Sequence, residues 1–209
     1  ELQSEQDDRI RLETDLRNAL ATKQFHLMFQ PLVSARSQTL VGFEALIRWN
    51  HPQRGLIPPP VFIPVAEETG LMGAIGEWVI DEACRAIASW PEPITVAINI
   101  SPKQIIMPSL PNCVSQALSR YRVPGNRLEL EVTEGVFLGD ENATLDTLKR
   151  LRALGVGIAL DDFGTGYSSI GYLNKAVFHK LKIDGSFVRE AGTRPENVAI
   201  IQSIVQLAK

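Results

Sequence analysis

The sequence predicts an α/β fold built on a mostly parallel sheet, and a barrel fits it better than an open sheet. Three observations carry this. Short apolar runs of strand length alternate with stretches whose apolar residues recur at helical spacing. The glycine signature of dinucleotide-binding open sheets and the Walker lysine motif are both absent. Successive strand segments each carry polar residues toward their C-terminal ends, where a barrel gathers its chemistry.

Taken in order, residues 4–22 are highly charged and space Ile10, Leu12, Leu16, Ala19 and Leu20 on one face, which predicts a helix. Its charge suits a junction with an upstream domain as well as a piece of core, so residues 1–22 read as a lead-in linker and 23–209 as the domain. Phe25–Val33 and Thr39–Trp49 read as strands. The five-residue turn between them makes the pair antiparallel. Pro52, Pro58, Pro59, Pro60 and Pro64 predict a loop, followed by a long helix presenting Ile75, Trp78, Val79, Ala83, Ala86, Ile87 and Trp90.

Ile94–Ser101 is the third strand, and a helical segment after Pro102 holds Leu110, Val114 and Leu118 in step. Leu128–Glu134 is the fourth strand. Leu145, Leu148, Leu151 and Leu154 mark a helix that Gly155 ends as a C-cap glycine. Val156–Asp162 and Phe178–Asp184 are the fifth and sixth strands, and a last helix carries Val198, Ile201, Ile204, Val205 and Ala208. About six strands are therefore expected.

Composition narrows the function classes. With 209 residues, 44% hydrophobic and a formal charge of −3, the chain has the make-up of a globular protein without a broad electrostatic grip on nucleic acid. No polymeric nucleic acid is expected as a partner. Cys84 and Cys113 have no Cys or His at ligand spacing and read as core thiols. His26, His51 and His179 form no metal-binding pattern and read as structural or surface residues. No apolar run reaches membrane-span length and no signal-peptide pattern opens the chain, so the expected location is cytoplasmic.

The tandem acids Asp161-Asp162 close an apolar run and lead into Phe163-Gly164-Thr165-Gly166-Tyr167-Ser168-Ser169. A buried strand ending in paired acids is costly unless a cation or strong hydrogen bonds match the charge. Strand alternation puts Glu44, Leu46 and Arg48 on one face, Asn99 and Ser101 on another, then Glu129, Glu131 and Thr133, then Asp161, then Lys180, Lys182 and Asp184. Asn99, Glu131 and Asp161 follow one another at intervals of βα-unit length. Glu44, Asn99, Glu131 and Asp161 could thus share one mouth, with Asp162 and Lys182 beside them. An all-oxygen set with several carboxylates suits Mg²⁺ or Mn²⁺. Two adjacent acids can serve two ions, a known device for attack of water on a phosphodiester. Singly, each residue has a plainer reading: Glu44 could pair with Arg48, Asn99 could bond backbone, Glu131 and Glu134 could be solvated, and Lys182 could be a surface lysine.

These residues also match a family. From Phe25 to Lys209 the chain resembles the EAL domains of bacterial cyclic di-GMP signalling. The matching stretches are Phe29-Gln30-Pro31, Glu44-Ala45-Leu46-Ile47-Arg48-Trp49, Phe62-Ile63-Pro64, Ala66-Glu67-Glu68-Thr69-Gly70, Asn99-Ile100-Ser101, Glu131-Val132-Thr133-Glu134, residues 161–169 and Lys182-Ile183-Asp184. The resemblance implies a modified TIM-type (β/α) barrel with an antiparallel first strand. It implies a cyclic di-GMP phosphodiesterase that yields linear pGpG with Mg²⁺ or Mn²⁺, using two ions. By position it makes Glu44, Asn99, Glu131 and Asp161 metal ligands, with Asp162 at a second ion and Lys182 near the attacking water. It sets Gln30, Leu46 and Arg48 against the ligand, and it makes Glu134 the support of the loop 163–169, which it ties to homodimerisation. The charged lead-in resembles the linker that follows a GGDEF cyclase domain, so an upstream GGDEF or sensor domain is an expected partner. Two further strands of the family, one with a glutamate in an EGVE-like motif, have no counterpart here, so the domain is expected to be C-terminally incomplete. The rival reading is a catalytically inactive cyclic di-GMP receptor or dimerisation module.

Overall fold

The computed structural model describes residues 2–164 and 178–208, with side chains from Arg9 onward. The chain divides into two compact units: residues 1–98 with 112–123, and residues 99–111 with 124–209.

In the first unit, helix α1 (Leu2–Ala21) buries Leu12, Leu16 and Ala19. Strands β1 (Phe25–Val33) and β2 (Leu40–His51) pair antiparallel, as their short connection requires. A three-residue strand, β3 (Gly55–Ile57), pairs antiparallel with the end of β2. It adds a seventh strand to the six expected. The proline-rich stretch is not all loop: Pro59–Glu68 is helix α2, with proline in its first turn and Phe62, Val65 and Ala66 buried. Proline is accepted there because the first-turn N–H groups have no intrahelical partner to lose. Phe62 packs against Phe25 in a tilted and Trp49 in an edge-to-face arrangement, with ring centroids 5.7 and 5.6 Å apart, which gives the helix its place.

Helix α3 (Met72–Ile87) buries Ile75, Val79, Ile80, Ala83, Cys84 and Ile87. Trp90, expected on its face, lies beyond its end and packs against Phe29 and Phe43, with centroids 4.9 Å apart in both pairs. Strand β4 (Thr95–Asn99) runs parallel to β2 and sets Ala97 beside Glu44.

The second unit holds α4 (Pro102–Ile105) and three parallel strands, β5 (Leu128–Thr133), β6 (Gly157–Phe163) and β7 (Lys180–Ile183). Most of α5 (Leu110–Tyr121) belongs to the first unit. Helix α6 (Glu141–Ala153) starts at Asp140, whose carboxylate accepts the Ala143 N–H at 3.0 Å. Gly155 follows α6 with a φ of +82°, a conformation glycine adopts without strain. Two further helices follow β7: α7 (Gly185–Glu190), which sequence periodicity did not reveal, and α8 (Pro195–Leu207). Residues 128–132 of β5 are all buried, as expected of a strand covered on both faces.

Candidate functional site

The first unit aligns its candidate residues by register. Gln30 lies opposite Glu44, Met28 opposite Leu46 and His26 opposite Arg48. Strand side chains alternate, so Gln30, Glu44, Leu46 and Arg48 share one face of this pair. The Arg48 guanidinium donates to the Ile47 carbonyl at 2.9 Å.

In the second unit Glu131, Asp161 and Lys182 come together, one from each of β5, β6 and β7. The Lys182 ammonium donates to Glu131 Oε2 and, at 2.8 Å, to Asp161 Oδ2. Glu131 is 1% exposed, so its charge needs that partner. The strand between the two partners explains how a lysine on β7 reaches a glutamate on β5. Ala159 of β6 aligns with Glu131 on one side, and its small side chain leaves the crossing open. Asn99, at the end of β4, precedes Ile100, whose N–H donates to the Glu131 carbonyl at 2.8 Å. That bond ties Asn99 to the backbone of β5.

Asp161 and Asp162 occupy an irregularity in the β6–β7 pairing. Leu160 pairs with Leu181 and Phe163 with Ile183, so β6 carries one residue more than β7 over this stretch. Such a bulge re-aims side chains at a strand end. Asp162 takes a φ of +52°, a left-handed conformation that aspartate tolerates better than most residues. Its N–H donates to Asp161 Oδ1 at 2.9 Å. Partial burial pushes the Asp162 carboxyl above its ordinary range, the neighbouring charges of Asp161 and Asp184 push it further, and Lys182 offsets part of this.

Glu134 accepts the Gly164 N–H through Oε1 at 3.2 Å, which secures the entry to the next loop. Residues 165–169 of the expected dimerisation loop lie outside the described residues. Asp184 caps α7 by accepting the Ser186 N–H at 2.8 Å, and the hydrogen bond from the Ser186 hydroxyl, followed by this N–H bond, holds its carboxyl below the ordinary range.

A second charged group, not singled out from the sequence, sits two residues earlier on the same strands. Lys180 donates to Glu129 Oε1 at 2.7 Å, and His179 Nε2 lies 2.9 Å from Glu129 Oε2. The repeat of acids at 129 and 131 and of lysines at 180 and 182 was the available signal. Its meaning depended on β5 and β7 flanking one strand.

Among the described residues no three His, Cys, Asp or Glu side chains form a ready-made metal cage. The donor chemistry nonetheless fits a hard divalent cation. Two carboxylate oxygens, from Glu131 and Asp161, already converge on one positive charge, the Lys182 ammonium, and Asp162 is adjacent. Among the described residues no helix is long and apolar enough to cross a membrane.

Comparison with known proteins agrees with the resemblance seen in the sequence. The model of the EAL domain family matches residues 13–209. A signaling protein of Caulobacter vibrioides is 46% identical over 209 residues, 98% of this chain and 26% of that protein. The bifunctional diguanylate cyclase/cyclic di-GMP phosphodiesterase MucR of Pseudomonas aeruginosa is 44% identical over 206 residues, 97% of this chain and 30% of that protein. The solved structure of the PaMucR phosphodiesterase in complex with c-di-GMP superposes with a TM-score of 0.89 at 45% identity, covering 94% of this chain and 81% of that one. The α/β, TIM-type fold class expected from the sequence is that of these structures. The chain spans well under half the length of the curated relatives it matches.

Proposed function

The chain belongs to the EAL domain family, and from that premise we propose that it is a cyclic di-GMP phosphodiesterase, opening the cyclic dinucleotide to linear pGpG. One observation supports the reading: Lys182 stands between Glu131 and Asp161, three residues that the strand pattern set at one mouth and that the family resemblance ties to one reaction. Charge of this kind at the ends of buried strands serves substrate better than stability, because a buried ion pair contributes little net free energy to folding.

In this reading Glu44, Asn99, Glu131 and Asp161 would hold one Mg²⁺ or Mn²⁺ ion and Asp162 would take part in holding a second. The chemistry such ions supply is a bound water acidic enough to act as a nucleophile near neutral pH. Lys182 orients that water and the scissile phosphate through its ammonium N–H groups. Arg48 offsets phosphate charge with a charge-assisted hydrogen bond. Gln30 contacts the ligand beside it, and Leu46 gives the pocket an apolar wall. Glu134 keeps the loop that starts at Gly164 in place. In the same reading the domain works in the cytoplasm as a homodimer, with an upstream GGDEF or sensor domain as its partner.

The test is direct. The purified chain is incubated with cyclic di-GMP in Mg²⁺ or Mn²⁺ and, in parallel, in EDTA, and the products are separated by chromatography. Formation of pGpG only with the metal supports the reading. Ligand uptake without cleavage would replace it with a receptor, and neither uptake nor cleavage would overturn it.

A further inference from the structure

We propose that His179 is a positioning residue for Lys182: seated on Gly157 and bonded to Ile158 and Glu129, it fixes the register of β7 and so decides which lysine enters the acid pair. The inference rests on Lys182 belonging to the proposed active site.

The problem it solves is visible in β7. Lys180-Leu181-Lys182-Ile183 repeats basic and apolar residues with the period of a strand. A slip of one residue would turn every side chain to the wrong face, so the pattern forbids it. A slip of two residues keeps a lysine at the place of Lys182 and an aliphatic residue at that of Ile183. It would put Lys180 where Lys182 belongs. At these two places the alternation alone does not distinguish the two registers.

Residue 179 does. Its N–H donates to the Ile158 carbonyl at 3.0 Å, and Nδ1 bonds the same oxygen at 2.7 Å. Nε2 lies 2.9 Å from Glu129 Oε2. The ring rests on the backbone of Gly157: a Cβ there would lie 2.8 Å from Cε1 and 3.1 Å from Nε2. One side chain therefore touches Gly157 and Ile158 of β6 and Glu129 of β5, at a spot only glycine leaves open. Val177, brought to this place by that two-residue slip, has no side-chain donor for either oxygen. Glu129 is 7% exposed, and losing a partner there is costly. Lys180 takes the other oxygen of Glu129 at 2.7 Å. With Glu129 satisfied by residues 179 and 180, Lys182 is the lysine left for Glu131 and Asp161.

The experiment compares the 209-residue chain with His179→Ala, His179→Gln and Gly157→Ala. Gln keeps a donor able to reach Glu129, and Gly157→Ala pushes the ring off its seat while leaving the histidine in place. Two readouts are taken. The first is the rate at which an amine-acylating reagent modifies Lys182, followed by mass spectrometry without ligand, with the exposed Lys23 and Lys149 as internal references. The second is the split of kcat and KM with cyclic di-GMP. The expected result for His179→Ala and Gly157→Ala is faster acylation of Lys182 and a kcat lower by about 10- to 100-fold, the scale on which small misplacements act. KM is expected to move by less than about threefold, and His179→Gln should recover most of both losses. Unchanged acylation of Lys182 in folded His179→Ala or Gly157→Ala overturns the proposal, as does a loss carried by KM alone. A wild-type chain without hydrolysis would count against the proposed function, while the acylation rates would still decide this one.

Discussion

Lys182 and Asp161 face each other across neighbouring parallel strands, ammonium to carboxylate at 2.8 Å, and the same ammonium also reaches Glu131 beyond. One cation thus balances two acids, one of them fully buried. Whatever enters this site must reckon with a lysine that already neutralises part of its charge.

Lys182→Met should lower kcat by at least about 100-fold, the scale of losing a positioned proton-handling group. It should also destabilise the protein, by about 2 kcal/mol, because Glu131 keeps its burial and loses its cation. For a chain of this size that is a fall in Tm of about 4–8 °C. Added Mg²⁺ should raise the Tm of the variant more than that of the wild type, since the ion would supply the missing charge. Calorimetric melts with and without Mg²⁺ measure both effects.

Asp162→Asn should stabilise the metal-free fold at neutral pH while lowering metal-dependent hydrolysis. The sign follows from the raised carboxyl of Asp162. An acid whose folded-state value is raised favours folding when protonated, and that stabilisation is lost as pH rises from the ordinary carboxylate range through the raised value. Asparagine removes the penalty, and it accepts the left-handed backbone at this position. Melts in EDTA should show the variant ahead at pH 7 and level with the wild type near pH 3.

Arg48→Ala should raise KM about 10- to 100-fold with a smaller effect on kcat, the cost of one hydrogen bond from a charged donor to phosphate. Initial rates over a range of cyclic di-GMP concentrations separate the two constants.

Asp140→Ala removes the carboxylate that caps α6. It should cost about 1 kcal/mol, a fall in Tm of about 2–4 °C, and leave kcat and KM unchanged. A thermal melt and a rate measurement on the same preparation check it.

Burial, aided by the nearby Asp81, pushes the Cys84 thiol up to about 12, and burial pushes Cys113 up to about 11, with help from Glu77 and Asp81. Neither forms an appreciable thiolate at neutral pH, so both should react slowly with a disulfide reagent at pH 7.5 and quickly once guanidinium unfolds the chain. Absorbance of the released thiol dye follows both phases.

The alternation of strands and helices was legible because apolar spacing reports it directly, as was the sharing of a face by Glu44, Leu46 and Arg48; Gln30 joins that face through the observed register of β1 on β2. Helix α2 was hidden because Pro58, Pro59, Pro60 and Pro64 read as breakers, although Pro58 precedes the helix, Pro59 and Pro60 fall in the first turn where proline breaks nothing, and the helix continues through Pro64. Trp90 sat in phase with the α3 face, but its packing partners are on β1 and β2. Of the acid–lysine group, Glu131, Asp161 and Lys182 were readable as strand-end polar residues. Glu129 and Lys180 were read on the same strand faces, but their contact with each other and with His179 was not, because a contact that skips a strand depends on which strand lies between and on its bearing small residues. The bulge at Asp161-Asp162 left no mark in the sequence beyond the tandem acids themselves.

Helix α1, whose charge suited a junction as well as a piece of core, buries Leu12, Leu16 and Ala19, and its Asp15 lies 3.1 Å from Nε2 of the buried His51, whose Nδ1 accepts the N–H groups of Gln53 and Arg54. His51 ends the strand that bears Glu44, Leu46 and Arg48. Anyone trimming this protein for expression should therefore cut upstream of residue 9. A product begun at residue 23 would bare an oily seam, lose the acid clasping that imidazole, and yield poorly for reasons unrelated to its chemistry.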